Sequence, residues 1–259
     1  MTESTKHEIH HLMILDSSGS MSTVKQDTIG GFNENLKALR NEETPDNIEQ
    51  VISLVTFSDK INLDAAIWRE KLEKIDDLSD ESYMPGGGTA LFDAIGMSVN
   101  KLEQEIKSKL DGEDANVVVT IFTDGEENSS REFNDFSKLQ ALIKRLQDSR
   151  MWTFSFIGCD EKTLEAAKTM GISAANVMRY AAGSAGTQKA FADLATSRNA
   201  YVSKVSTAVR SKGTADYASN LRATQADFFT DVQEKDSANN QSQSQNDKTD
   251  LQDQSNSGC

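Results

Sequence analysis

Apolar positions along this chain follow two alternating rhythms. The runs His11 to Asp16, Val51 to Phe57, Val117 to Phe122 and Trp152 to Ile157 are rich in aliphatic, β-branched or aromatic residues and contain no interior Gly or Pro. Runs of that length and composition predict strands buried on both faces. A shorter run, Asn176 to Ala181, reads as a fifth strand. Between the runs the period changes to that of a helix. Val24, Thr28, Phe32, Leu36 and Leu39 share one helical face, although Gly30 and Gly31 each weaken the helix by about 1 kcal/mol relative to alanine. Leu91, Ile95, Val99, Leu102, Ile106 and Leu110 form a cleaner stripe, and Phe136, Leu139, Leu142, Ile143 and Leu146 a third. Leu164, Ala167 and Met170 make a short one ended by Gly171, and a later helix runs from Thr187 past Ala200.

Strands alternating with helices predict an α/β fold, a mostly parallel sheet with helices on both faces. One segment departs from that rule. Ile61, Leu63, Ala65 and Ile67 alternate up to Trp68, and only Ser58, Asp59 and Lys60 separate this stretch from the second strand. So short a link allows a hairpin and no crossover, so Ile61 to Trp68 reads as an antiparallel edge strand. Tyr217, Leu221, Phe228 and Val232 suggest an extra helix within Ser211 to Val232, packed on the domain or on a partner. From Glu234 to Cys259 almost everything is polar, and such a segment cannot bury enough apolar surface to order itself. The resulting division is a domain over 1–205, a helical extension over 206–233 and a disordered polar tail over 234–259.

Composition narrows the function. The chain has 259 residues, 37% hydrophobic, enough for one large α/β domain with a well-buried core. Its formal charge of −14 would repel nucleic acid and anionic membrane surfaces, so neither is expected as a partner. No stretch approaches the roughly 20 apolar residues that span a bilayer, and Met1 to His11 has no signal-peptide core. Cys159 and Cys259 make no disulfide framework, and a reducing cytoplasm is the simplest expectation.

Ligands of open parallel sheets bind beyond the carboxyl ends of the strands, so those ends are where chemistry is expected. The first strand runs into Asp16-Ser17-Ser18-Gly19-Ser20, and the third long one into Thr123-Asp124-Gly125-Glu126-Glu127. Pro85-Gly86-Gly87-Gly88-Thr89 precedes the Leu91 helix, its glycines able to adopt positive φ. The hydroxyls of Ser18, Ser20 and Thr89 with the carboxylates of Asp16 and Asp124 form an all-oxygen set suited to a hard cation. Two carboxylates only balance a divalent ion, which leaves it electrophilic toward an outside carboxylate.

Asp16-x-Ser18-x-Ser20, a later Thr89 after a glycine run, and Thr123-Asp124-Gly125 after an apolar strand resemble the metal-ion-dependent adhesion site of von Willebrand factor type A domains. The order along the chain matches too, over roughly His7 to Ala200, and all five motif positions are intact. The resemblance implies a three-layer α/β/α, Rossmann-like fold, its mostly parallel central sheet carrying one short antiparallel edge strand. It implies that Ser18, Ser20 and, in the ligand-bound form, Thr89 coordinate Mg2+ or Mn2+ directly, with Asp16 and Asp124 acting largely through waters. A Glu or Asp from a protein partner would take the open position, and a shift between Thr89-type and Asp124-type coordination accompanies affinity changes in similar proteins. Chains like this are common as stand-alone cytosolic bacterial proteins beside stress-response systems. Met21, Tyr83, Met84, Glu126, Glu127, Asn128 and Arg131 are candidates for the partner-contacting rim. The folded body's own acidity implies a partner with basic residues around its metal-reaching acid.

Simpler readings stand beside these. Ser18 and Ser20, and Thr89 as well, are good helix caps. The glycine run lacks the Lys-Ser/Thr pair of a phosphate-binding loop. His7, His10 and His11 have no second cluster and read as solvent-facing or strand-edge residues rather than zinc ligands. Cys159 reads as a small residue at a strand end. No histidine falls near the strand ends to serve as general base, so the expected function is a metal-dependent interaction module with no small-molecule substrate, not an enzyme. The alternatives are a magnesium-dependent phosphohydrolase or phosphotransferase with Asp16 as nucleophile, and a structural subunit of a larger complex. The first wants a second aspartate where Ser18 stands.

Overall fold

β1 (His7–Asp16) and β4 (Ala115–Thr123) lie side by side at the middle of a six-stranded sheet, and both are buried nearly throughout. The computed structural model describes residues 6–63, 67–230 and 232–233. A strand covered by helices on both faces has no solvent-facing row of side chains, which accounts for the unbroken apolar run of β4. β2 (Ile48–Phe57) flanks β1, and β5 (Trp152–Gly158) flanks β4. The edges are β3 (Glu70–Lys71) and β6 (Val177–Arg179), giving the order β3-β2-β1-β4-β5-β6. All neighbouring pairs are parallel except β2 with β3.

After β1 a 3-10 turn (Gly19–Val24) leads into α1 (Lys25–Asn41) and back to β2 on one side. α2 (Leu91–Glu105) and α3 (Lys107–Asp111) then carry the chain to β4 on the other side of β1. Strand order therefore reverses between β1 and β4, and the crevice beyond their carboxyl ends is the topological switch point. α4 (Phe136–Asp148), α5 (Glu161–Thr169), α6 (Ser184–Arg210) and α7 (Tyr217–Ala226) complete the layers. Side chains of α1 and α6, such as Phe32, Leu36, Phe191 and Leu194, cover one face of the sheet; those of α2, α4 and α5, such as Ile95, Val99, Leu139 and Ile143, cover the other. The glycine at 31 weakens α1 locally but has a packing role. A Cβ there would lie 2.3 Å from the Phe191 ring, so only glycine lets α6 approach this closely.

Several expectations are corrected. The antiparallel edge strand is Glu70–Lys71, paired with Ile52 and Val51, and not Ile61 to Trp68. Of that predicted stretch, Ile61 makes one antiparallel bridge to Phe57, Ile67 accepts a backbone hydrogen bond from Leu54, and residues 64–66 lie outside the described residues. The Leu91-to-Leu110 stripe breaks at Ile106, whose φ of −109° and ψ of 13° end α2 while its side chain stays buried. The fifth strand shortens to Val177–Arg179, because Asn176 ends a 3-10 turn and the pairing with β5 stops at Arg179. The extra helix is confined to Tyr217–Ala226 and packs on α6 and β5, while Phe228, Phe229 and Val232 join the core under α6. The domain boundary placed after 205 falls within the unbroken α6, and the polar tail of 234–259 lies outside the described residues.

The three histidines are the plainest reversal. β1 is central rather than peripheral, so His7, His10 and His11 are buried, with hydrogen bonds to Asn116, Glu8 and Gln50 respectively. Among the described residues no group of three or more His, Cys, Asp or Glu side chains gathers as a metal cluster, and no helix is long and apolar enough to cross a membrane.

Candidate metal centre at the switch point

Asp16 closes β1 and is fully buried. One of its carboxylate oxygens accepts from the Ser18 backbone N–H at 2.6 Å and the other from the Thr123 hydroxyl at 2.6 Å. The Tyr83 hydroxyl donates to the Asp16 carbonyl at 2.5 Å and fixes the strand end from below. Burial pushes the Asp16 carboxyl up to about 6, against hydrogen bonds from Thr123 and Ser18 and with the negative Asp124 nearby adding to the rise. Asp124, at the end of β4, is also raised by burial, opposed by the hydrogen bond from Ser20. Among the described residues neither carboxylate has a lysine or arginine partner within ion-pair range. The crevice thus concentrates negative charge in a poorly solvated place, the electrostatic setting a bound cation relieves.

The hydroxyls complete the set. Ser18 Oγ lies 3.1 Å from Ser20 Oγ, and Ser20 Oγ donates to Asp124 Oδ1 at 2.6 Å. Although Ser18 occupies the cap position of the 3-10 turn, its side chain makes no capping hydrogen bond. Thr89 does not cap α2 either: the cap residue is Ala90, and the Phe92 N–H is satisfied by the Glu127 carboxylate at 2.8 Å. The serine and threonine hydroxyls are therefore free of the simpler role the sequence allows. Gly125 shows how closely they converge. A Cβ built on it would lie 3.3 Å from Thr89 Oγ1 and 3.8 Å from both Asp16 Oδ2 and Ser20 Oγ. A side chain at 125 would fill the space that the oxygens surround.

Backbone hydrogen bonds hold the loops against each other. Gly86 N–H donates to Ser17 O at 2.8 Å, and Gly19 N–H to Gly87 O at 3.1 Å. Of the glycine run only Gly87 has positive φ, at 81°. Cys159, partly exposed at the end of β5, points its thiol at the Asp124 carbonyl, 3.2 Å away.

The structure divides the expected rim. Met84 is 72% exposed, and Glu126, Asn128 and Arg131 are exposed as well. Met21 and Tyr83 are fully buried and belong to the floor. Met21 packs with Val24, Phe32 and their neighbours in the core under α1, continuing the helical stripe one turn earlier than Val24. Glu127 is only half-exposed, and its carboxylate is occupied by the backbone of Phe92, Ser129 and Ser130 and the Ser130 hydroxyl. Thr123, whose hydroxyl fixes Asp16, enters the sequence motif without a role of its own, and a polar residue closing a buried apolar strand is the available signal.

The von Willebrand factor type A domain model matches residues 12–191, and the chain belongs to that family. Domains of the family are commonly metal-dependent protein-interaction modules and generally not enzymes. No curated protein matches the chain. Similar solved structures include the pilus adhesin SpaC of Lactobacillus rhamnosus GG in its open conformation, at 12% identity and a TM-score of 0.52, covering 76% of this chain and 30% of that one. Proximal thread matrix protein 1 of the mussel byssus has 16% identity and a TM-score of 0.45, over 74% of this chain and 46% of its own. The manganese-loaded Plasmodium vivax TRAP protein has 16% identity and a TM-score of 0.42, over 72% and 71%. This chain thus spans less than half the length of the mussel and Lactobacillus proteins.

Proposed function

We propose that this chain is a metal-dependent protein-interaction module whose metal-ion-dependent adhesion site is intact. Ser18, Ser20 and Thr89 supply neutral hydroxyl ligands to Mg2+ or Mn2+, Asp16 and Asp124 supply the balancing charge, and a Glu or Asp of a partner protein completes the shell. The observation that carries this reading is the convergence of Thr89 Oγ1, Asp16 Oδ2 and Ser20 Oγ on the space beside Gly125, with Ser18 and Asp124 one hydrogen bond away. Oxygen-only donors with two carboxylates suit Mg2+, and the bound ion would supply an electrophilic position for the partner's acid.

Asp16 is poorly placed as a phosphohydrolase nucleophile, because both its oxygens already accept internal hydrogen bonds. Exposed Met84, Glu126 and Arg131 offer the surroundings a partner would meet. The test is thermal unfolding in EDTA, Mg2+, Mn2+ and Ca2+, for the native chain and for Asp124→Ala. A ligand that binds only the folded state raises its stability, so Mg2+ or Mn2+ should shift the native transition and leave the variant's in place. A native transition unmoved by millimolar Mn2+ would overturn the reading.

A further inference from the structure

The loop that follows Asp124 folds back over the start of α2 and grips it through two sets of hydrogen bonds. Thr89 is held in both directions: its N–H donates to Asn128 Oδ1 at 2.8 Å, and its carbonyl accepts from the Asn128 N–H at 3.0 Å. Both bonds use the Thr89 backbone, so neither engages the hydroxyl assigned to the metal. Around this pair, the Glu127 carboxylate accepts from Phe92 N–H at 2.8 Å, and the Ser130 hydroxyl accepts from Asp93 N–H at 2.9 Å. Buried Asp93 answers by accepting from Arg131 N–H and Phe133 N–H, each at 2.7 Å. Residues 89–93 and 127–133 therefore form a reciprocal clasp.

The clasp connects the segments that carry two of the groups assigned to the metal. Thr89 sits on one side of it, and Asp124 begins the loop on the other, only four residues before Asn128. Loops on separate strand ends would otherwise set the Thr89 hydroxyl independently of Asp124. Tied together, they keep that hydroxyl beside Gly125, above Asp16 and Ser20. Groups that orient metal ligands from behind alter affinity without touching the ion.

We infer that Asn128 and Glu127 are positioning residues of the metal site, fixing Thr89 against the Asp124 loop, rather than members of the partner-contacting rim. The inference rests on the metal reading above.

The test is a Mn2+ titration of the full chain, followed by loss of the free-ion electron paramagnetic resonance signal. Unfolding temperature in EDTA is measured in parallel on each protein. Asn128→Ala removes the acceptor for Thr89 N–H and should weaken Mn2+ binding by about tenfold or more. Asn128→Asp keeps an acceptor there and should restore most of that affinity. Glu127→Gln, which turns one acceptor into a donor, should weaken binding in the same direction. A purely structural role would lower the unfolding temperature in EDTA and leave the affinity of the folded protein untouched. Native Mn2+ affinity in folded Asn128→Ala and Glu127→Gln would overturn the inference while leaving the metal reading standing. Failure of the native chain to bind Mn2+ at all would overturn both.

Discussion

β1 carries a carboxylate at each end, on the same face of the sheet, and the two have opposite surroundings. At the amino end, Glu8 is bonded to His10 and ion-paired with Lys109, and its carboxyl is held down to about 2 by the His10 hydrogen bond first and by Lys109 in addition. At the carboxyl end, Asp16 is more deeply buried, has no cationic partner among the described residues, and is pushed up to about 6. Burial opposes ionisation in both, but only at Glu8 does the chain itself supply the compensating charge. One acid is neutralised within the fold and serves stability. The other has no compensating charge among the described residues, at the end of the sheet where the switch point opens and where we propose that the cation binds.

The sharpest way to separate the two ends is to neutralise each acid in turn. Asp16→Asn should abolish the stabilisation by Mn2+, about 3 kcal/mol at a hundredfold excess over the dissociation constant. In EDTA the same variant should be at least as stable as the native chain, because it removes a buried charge while its amide can still bond Ser18 and Thr123. Calorimetry with and without metal reads both effects, and a loss of stability in EDTA would break the comparison.

Glu8→Gln should behave in the opposite way, losing about 1–2 kcal/mol at pH 7 with or without metal, a figure discounted for the partly exposed Lys109. Denaturant unfolding at pH 7 measures it, and a metal-dependent loss would contradict the assignment. The pH dependence sharpens the point. A carboxyl lowered in the folded state contributes in full above its unfolded value near 4.5 and loses that contribution as pH falls toward about 2. The stability gap between the native chain and Glu8→Gln should therefore close over that window.

The smallest effect is expected at the surface of the site. Glu126 pairs with Lys162 across exposed side chains, and Lys162→Gln should leave the unfolding temperature unchanged within error. A clear destabilisation there would show that the rim carries structural weight that its exposure does not suggest.

What the sequence revealed follows from the range of the interactions involved. β2, β4 and β5 were legible because strands buried on both faces must be apolar nearly throughout, a local property. Asp16, Ser18, Ser20, Thr89 and Asp124 are legible as a set because Asp16 and Asp124 stand at strand ends and the hydroxyl residues lie in the segments that lead into α1 and α2, so sheet topology brings them together. The histidines of β1 were misread because Asn116 and Gln50, which bond His7 and His11, are far away in sequence. Glu127 reads as a rim residue because the N–H groups its carboxylate accepts from include that of Phe92, 35 residues earlier. Tyr83 reads as an exposed aromatic until its hydroxyl is seen to hold the Asp16 carbonyl. Met21 was the avoidable error, since its spacing to Val24 and Thr28 already continued the buried stripe of α1.

If the hydroxyls of Ser18, Ser20 and Thr89 and the acids Asp16 and Asp124 hold one divalent ion, anomalous diffraction from crystals soaked in Mn2+ will locate it. One strong peak is expected beside Gly125, about 2.1 Å from the Ser18 and Ser20 hydroxyl oxygens. A peak at any other place in the molecule, or no peak at a Mn2+ concentration that saturates the protein in solution, would contradict it.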